Sequence, residues 1–103
     1  MAAILSVTTS RVRDGGMPAY LAAVGKLKKM LERNGGKVRV VSQAYGGNPM
    51  TVSIIVEVAS WAAFGAFSEK AEKDGELQAL VAELRAHPVS DIIARGVSTE
   101  LDV

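Results

Sequence analysis

The sequence predicts one α+β domain whose elements run strand–helix–strand–strand–helix–strand. Three observations lead there. Runs rich in β-branched residues alternate apolar and polar positions, as half-buried strands do. Two stretches repeat apolar residues every three or four positions, as helices with one buried stripe do. Glycine-containing breaks separate the runs at each point where the chain must reverse.

The first strand is read over residues 3–12, with Leu5 and Val7 on one face and Ser6, Thr8 and Ser10 on the other. Asp14-Gly15-Gly16 breaks it, and Pro18 follows at a first helical turn, where a missing N–H does no harm. Met17, Leu21, Val24, Leu27 and Leu31 then mark the buried stripe of a helix that ends near Arg33, with Lys26, Lys28, Lys29 and Glu32 between them. Asn34-Gly35-Gly36 stops it, because glycine adopts the left-handed C-cap conformation at little cost.

A second strand is expected over Lys37–Tyr45 and a third over Thr51–Val58, joined across Gly46-Gly47-Asn48-Pro49 as an antiparallel hairpin. Ser60 is a suitable N-cap for a helix opening at Trp61, with Phe64, Phe67 and Ala71 on one side. Asp74-Gly75 marks a break or kink. Leu77, Leu80, Val81 and Leu84 continue a helical pattern that Pro88 closes, and residues 91–101 form the last strand. The simplest closed arrangement is a four-stranded antiparallel sheet with the helices on one face.

At 103 residues, with 49% hydrophobic and 22% charged residues, the chain is an ordinary single globular domain over residues 1–103. It is long enough for one core but, by size alone, not for a deep internal cavity as well. Aromatics make up only 5%, so the core is aliphatic. A net charge of +1 offers no field to gather phosphates, which argues against nucleic acid as a partner. The absence of cysteine excludes disulfides, thiol nucleophiles and cysteine-ligated metals. No apolar run approaches the roughly 20 residues that span a bilayer, and no basic leader precedes the first strand, so no membrane partner is expected and the compartment expected is the cytoplasm.

The strands have unequal faces. Leu5, Val7, Val38, Val40, Val52, Ile54 and Val56 form an aliphatic set that should meet the helices. Ile4, Ser6, Thr8, Arg39, Val41, Gln43, Tyr45, Ser53, Ile55 and Glu57 form a mixed set. That second set is too apolar to be left wet and too polar for a dry core. Burial against a second copy, with a pocket between the two sheets, accounts for both properties.

The order of elements, the Gly46-Gly47-Asn48-Pro49 hairpin and the run from Val52 to Trp61 resemble the dimeric α+β barrel superfamily, which includes NIPSNAP-like proteins, antibiotic-biosynthesis monooxygenases and stress-responsive barrel proteins. The resemblance implies a ferredoxin-like βαββαβ fold and a homodimer whose sheets meet as a barrel around a small-molecule pocket. It does not imply an activity.

The residues that could line such a pocket are Arg39, Gln43, Tyr45, Ser53, Glu57, Trp61 and His87. Each has a structural alternative. Arg39 and Glu57 suit a cross-strand ion pair as well as a clamp on a polar ligand. Ser53, Gln43, Ser6 and Thr8 could bond a ligand or simply water. Trp61 suits a packing anchor, and Tyr45 either lines the barrel mouth or covers its edge. His87, the single histidine, stands before Pro88 where a helix ends and where its charge suits the terminal carbonyls. A general base or haem ligand is the alternative reading for it. One histidine and no calcium-loop spacing leave no metal site in view, and no cofactor is expected. Gly15-Gly16, Gly35-Gly36 and Gly46-Gly47 match no phosphate-loop pattern, and turns explain them. The functional expectation is a homodimeric barrel binding a small, partly apolar ligand. Alternatives are a cofactor-independent monooxygenase or haem-degrading enzyme, and a protein-interaction module.

Overall fold

A computed structural model describes residues 2–43 and 50–103. Its elements are β1 (Ile4–Val12), α1 (Met17–Arg33), β2 (Lys37–Ser42), β3 (Thr51–Val58), α2 (Trp61–Lys73), α3 (Gly75–Ala86) and β4 (Ser90–Thr99). The strands form one antiparallel sheet in the order β2-β3-β1-β4. The helices cover one face of it, and the molecule is a slab 17 Å across its thin dimension. The expected architecture is therefore observed. The Gly46–Pro49 turn and Tyr45 lie outside the described residues.

Local chemistry sets each boundary. The chain leaves β1 through a turn closed by Gly16 N–H donating to the Arg13 carbonyl at 2.9 Å, with Gly15 at φ +75°. At the end of α1, Gly35 takes φ +105° and donates to the Glu32 carbonyl at 3.1 Å, while Gly36 donates to the Leu31 carbonyl at 3.2 Å. This paired closure satisfies carbonyls that the helix end would otherwise orphan. The Ser60 hydroxyl accepts from Ala63 N–H at 3.1 Å and starts α2. Asp74 ends α2 and starts α3 by accepting from Leu77 N–H at 3.2 Å, so the predicted interruption is a complete break. The Asp74 carboxylate also holds Arg33 with two hydrogen bonds of 2.9 and 2.6 Å, and Asn34 with one of 2.9 Å. That cluster ties the end of α1 to the α2–α3 junction.

Two aliphatic clusters make the core. One joins Ile4, Val38, Val56 and Val58 to Phe67 of α2, and the other joins Val12 and Val52 to Tyr20 and Val24 of α1. Ile54 touches both. The buried stripe of α1 runs through Tyr20 rather than Leu21, which is 51% exposed. Positions 17, 20, 24, 27 and 31 follow the alternating three-and-four spacing that keeps one helical face in line, whereas position 21 turns outward.

One expectation about the faces is overturned. β3 pairs with β1 so that Val58, Val56, Ile54 and Val52 oppose Ile4, Ser6, Thr8 and Ser10. Directly paired residues share a face, so Ile4, Ser6, Thr8 and Ser10 lie beneath the helices, while Leu5 and Val7 point to the bare side. Val38, Val40, Val52, Ile54 and Val56 do face the helices, as expected. The error has a simple origin. Both parities of β1 carry apolar residues, and a period of two does not say which parity meets the core.

Candidate functional site: a cleft between sheet and helices

The reversed face of β1 has a spatial consequence. Ser6, Thr8 and Ser10 are short, and they lie in a row on a central strand beneath α1 and α3. The helices bring Val24, Leu27, Leu31, Val81 and Leu84 toward them but do not fill the space. A cleft of about 630 Å³ results, within the range of about 300–1,000 Å³ usual for small-molecule sites. Low aromatic content and short floor residues leave volume that aliphatic helices cannot reach, and that volume is an open cleft rather than a deep internal cavity. β4 forms one side, where Ile92 shares the helix-facing row and is 60% exposed, so the cleft opens along this edge strand.

Most of the lining is aliphatic, and the polar groups are few and placed. Tyr20 is only 5% exposed, and its hydroxyl has no hydrogen-bond partner among the described residues. Burial pushes its phenol pKa up, and Ser10 beside it draws it partly back, although the two oxygens are not aligned as a hydrogen bond. Arg85 and Arg95 also line the cleft, and neither has an ion pair or hydrogen bond among the described residues. The one acidic residue at the cleft, Asp91, is bound by the Arg13 guanidinium at 2.7 and 3.1 Å, which holds its carboxyl below the usual carboxylate range. A bulge opposite Thr9 and Ser10 leaves Ile93 as an extra residue in β4 and sets the phase that brings Arg95 opposite Thr8.

Of the pocket residues expected from the sequence, Tyr45 lies outside the described residues and the other six lie away from this cleft. Arg39, Ser53 and Glu57 gather on the bare face of the sheet. Arg39 donates to Glu57 at 3.2 Å, and the hydroxyls of Ser53 and Thr9 are 2.8 Å apart. Gln43 continues from β2 and donates its N–H to the Thr51 carbonyl at 3.1 Å. Trp61 belongs to the helix layer, 60% exposed and edge-on to Phe64 with ring centres 6.0 Å apart. His87 caps α3, its N–H donating to the Glu83 carbonyl at 2.9 Å. Among the described residues, no serine or carboxylate side chain is hydrogen-bonded to His87, so the histidine stands without the partners a triad requires.

The cleft residues Ser6 and Thr8 were visible in the sequence as strand hydroxyls, but on the wrong face. Tyr20, Arg85 and Arg95 were passed over. The three-and-four spacing of α1 contains a signal for Tyr20. For the two arginines there is none, since only the return of α3 beside α1 and the addition of β4 at the sheet edge bring them to one cleft.

No protein-family model and no curated protein sequence matches the chain. Solved structures do. A NIPSNAP domain protein from Burkholderia xenovorans superposes with a TM-score of 0.74 at 14% identity, covering 97% of this chain and 94% of that one. A NIPSNAP family protein from Agrobacterium tumefaciens gives a TM-score of 0.71 at 20% identity, covering 98% and 93%. SnoaB from Streptomyces nogalater, a cofactor-independent oxygenase, gives a TM-score of 0.71 at 16% identity, covering 100% and 97%. A dimeric ferredoxin-like protein from an uncultured marine organism gives 0.70 at 19% identity, with both chains fully covered. At these identities the likeness is one of fold. The chain has the ferredoxin-like α+β fold that these solved structures share.

Proposed function

We propose that this protein is a homodimeric α+β barrel protein that binds a small, partly apolar molecule in the cleft between its sheet and helices. One observation carries the ligand: a buried, unpartnered Tyr20 hydroxyl above a row of serine and threonine hydroxyls in an otherwise aliphatic cleft. A buried hydroxyl without a partner is costly, and a ligand acceptor removes that cost. The dimer rests on the bare sheet face, where Leu5, Val7, Val41 and Ile55 surround the Arg39–Glu57 pair. An apolar sheet face of this extent is stable when a second copy covers it. In this reading Arg39, Gln43, Ser53 and Glu57 belong to the seam between two sheets, and the ligand lies on the far side of each.

A second reading is a cofactor-independent oxygenase, favoured by the likeness to SnoaB together with a cleft of ligand size. Oxygen uptake with electron-rich phenols checks it. Native mass spectrometry of the freshly purified protein tests the principal reading. A mass of two 10.8 kDa chains plus a small-molecule increment supports it. A bare monomer that gains no mass when incubated with apolar metabolite extracts refutes it.

A further inference from the structure

The cleft carries a charge pattern that narrows its ligand. Two guanidinium groups, Arg85 at the last turn of α3 and Arg95 on β4, stand at its lining without a carboxylate, while the only acidic residue there is already held by Arg13. The local balance is therefore positive, although the chain as a whole is nearly neutral. The rest of the lining is aliphatic, with Leu27, Val81 and Leu84 facing short hydroxyl residues across the open space. Guanidinium forks fit carboxylate oxygens in pairs, and such charge-assisted bonds gain strength beside apolar walls that exclude water.

We infer that the cleft selects an amphipathic carboxylate, its apolar body against α1 and α3 and its acid group held by Arg95 and Arg85 along the β4 mouth. This assignment rests on the cleft being the ligand site, and it adds the ligand's class. Tyr20 supplies the remaining donor, a phenol O–H at the buried side of the cleft, which suits an oxygen on the ligand's body. The hydroxyls of Ser6 and Thr8 lie along the floor between these polar ends.

The test compares three probes with one apolar chain: decanoate, decan-1-ol and decyltrimethylammonium, each titrated calorimetrically below its micellar concentration at low salt. Decanoate is expected to bind about tenfold more tightly than the alcohol, and the cation most weakly. In the Arg85→Gln/Arg95→Gln protein the acid should fall to the alcohol's affinity while the alcohol is unchanged, and Arg95→Lys should restore part of the preference. Both arginines are exposed, so each single and double variant is expected to fold, which circular dichroism checks. Equal affinity for acid and alcohol, or a preference undiminished in the double variant, overturns anion selection and leaves the cleft as a neutral site. Absence of binding by all three probes, or amide shifts that fall away from Thr8, Tyr20 and Arg95, overturns the cleft reading itself. Sedimentation with phosphatidylglycerol vesicles separates a free acid from a bilayer headgroup. Co-sedimentation that decanoate does not compete overturns the assignment, and no co-sedimentation agrees with it.

Discussion

Replacing Tyr20 with Phe removes one oxygen from a buried part of the cleft. The ring is 5% exposed and packs with Val12, Val24 and Val52, so the apolar contacts survive the change. What disappears is a hydroxyl that has no hydrogen-bond partner among the described residues. Burying such a group unpaired costs about 1–3 kcal/mol in protein mutational data. Ser10 stands near enough to recover part of that, which favours the lower end. The ligand-free Tyr20→Phe protein is therefore expected to be more stable by about 1 kcal/mol, raising Tm by about 4–8 °C for a domain of this size. Urea denaturation followed by circular dichroism gives the same quantity as a shifted midpoint with unchanged slope. The alkaline limb offers a second reading of the same group. Because burial raises the Tyr20 phenol above its ordinary 10.0, the wild-type chain keeps the associated stability below pH 10 and loses it as pH climbs toward the folded value. Tyr20→Phe should lose less over that interval. A variant less stable than wild type by about 1 kcal/mol at neutral pH would refute the reasoning, since it would mean the hydroxyl makes a good bond in the folded chain.

Other consequences follow from contacts elsewhere. A Cβ added at Gly36 would stand 2.6 Å from Val56 Cγ1 and 3.0 Å from Phe67 Cε1, so Gly36→Ala should destabilise by about 1–3 kcal/mol; an unchanged urea midpoint would show that the core yields freely. Arg33 first, and Asn34 second, hold the Asp74 carboxyl well below the usual carboxylate range. That contribution is complete above pH 3.8 and is lost as pH falls toward the depressed folded value, so Asp74→Asn, weaker at neutral pH, should show a shallower acid limb than wild type. Equal acid limbs count against this pairing. Ile55 lies on the bare sheet face opposite Val7, and Ile55→Lys should split the proposed dimer or unfold the chain. A stable variant of unchanged mass in size-exclusion chromatography with light scattering contradicts that interface.

The parts of the fold legible in the sequence are those decided by neighbours along the chain. Ser60 caps α2 and Gly35 ends α1 in a left-handed conformation, as their positions predict. Asp74-Gly75 divides two helices because Asp74 closes the first with its backbone N–H, donated to the Ala71 carbonyl, and opens the second with its carboxylate. Each of these outcomes depends on the hydrogen bonds available within three or four residues, and residue type nearly settles them. The strands followed for the same reason, since β-branched alternation needs no partner to be recognised. Arg39 and Glu57 were legible too: once β2 and β3 pair antiparallel, the ion pair between them is a matter of register.

The cleft was not legible. Its floor depends on which side of β1 meets the helices, and Ile4 and Val12 favour one parity while Leu5 and Val7 favour the other. Pairing with the uniformly aliphatic row of β3 decides between them, and that choice is made between residues nearly fifty positions apart. Arg85 and Arg95 come to one cleft only because α3 returns beside α1 and β4 adds at the sheet edge. The sequence by itself determined the order, extent and caps of the elements, because short-range hydrogen bonding and periodicity act within a few residues. Only the tertiary structure decided which hydroxyls lie under the helices and which charges face them, because a strand's two faces become different only when something packs on one of them.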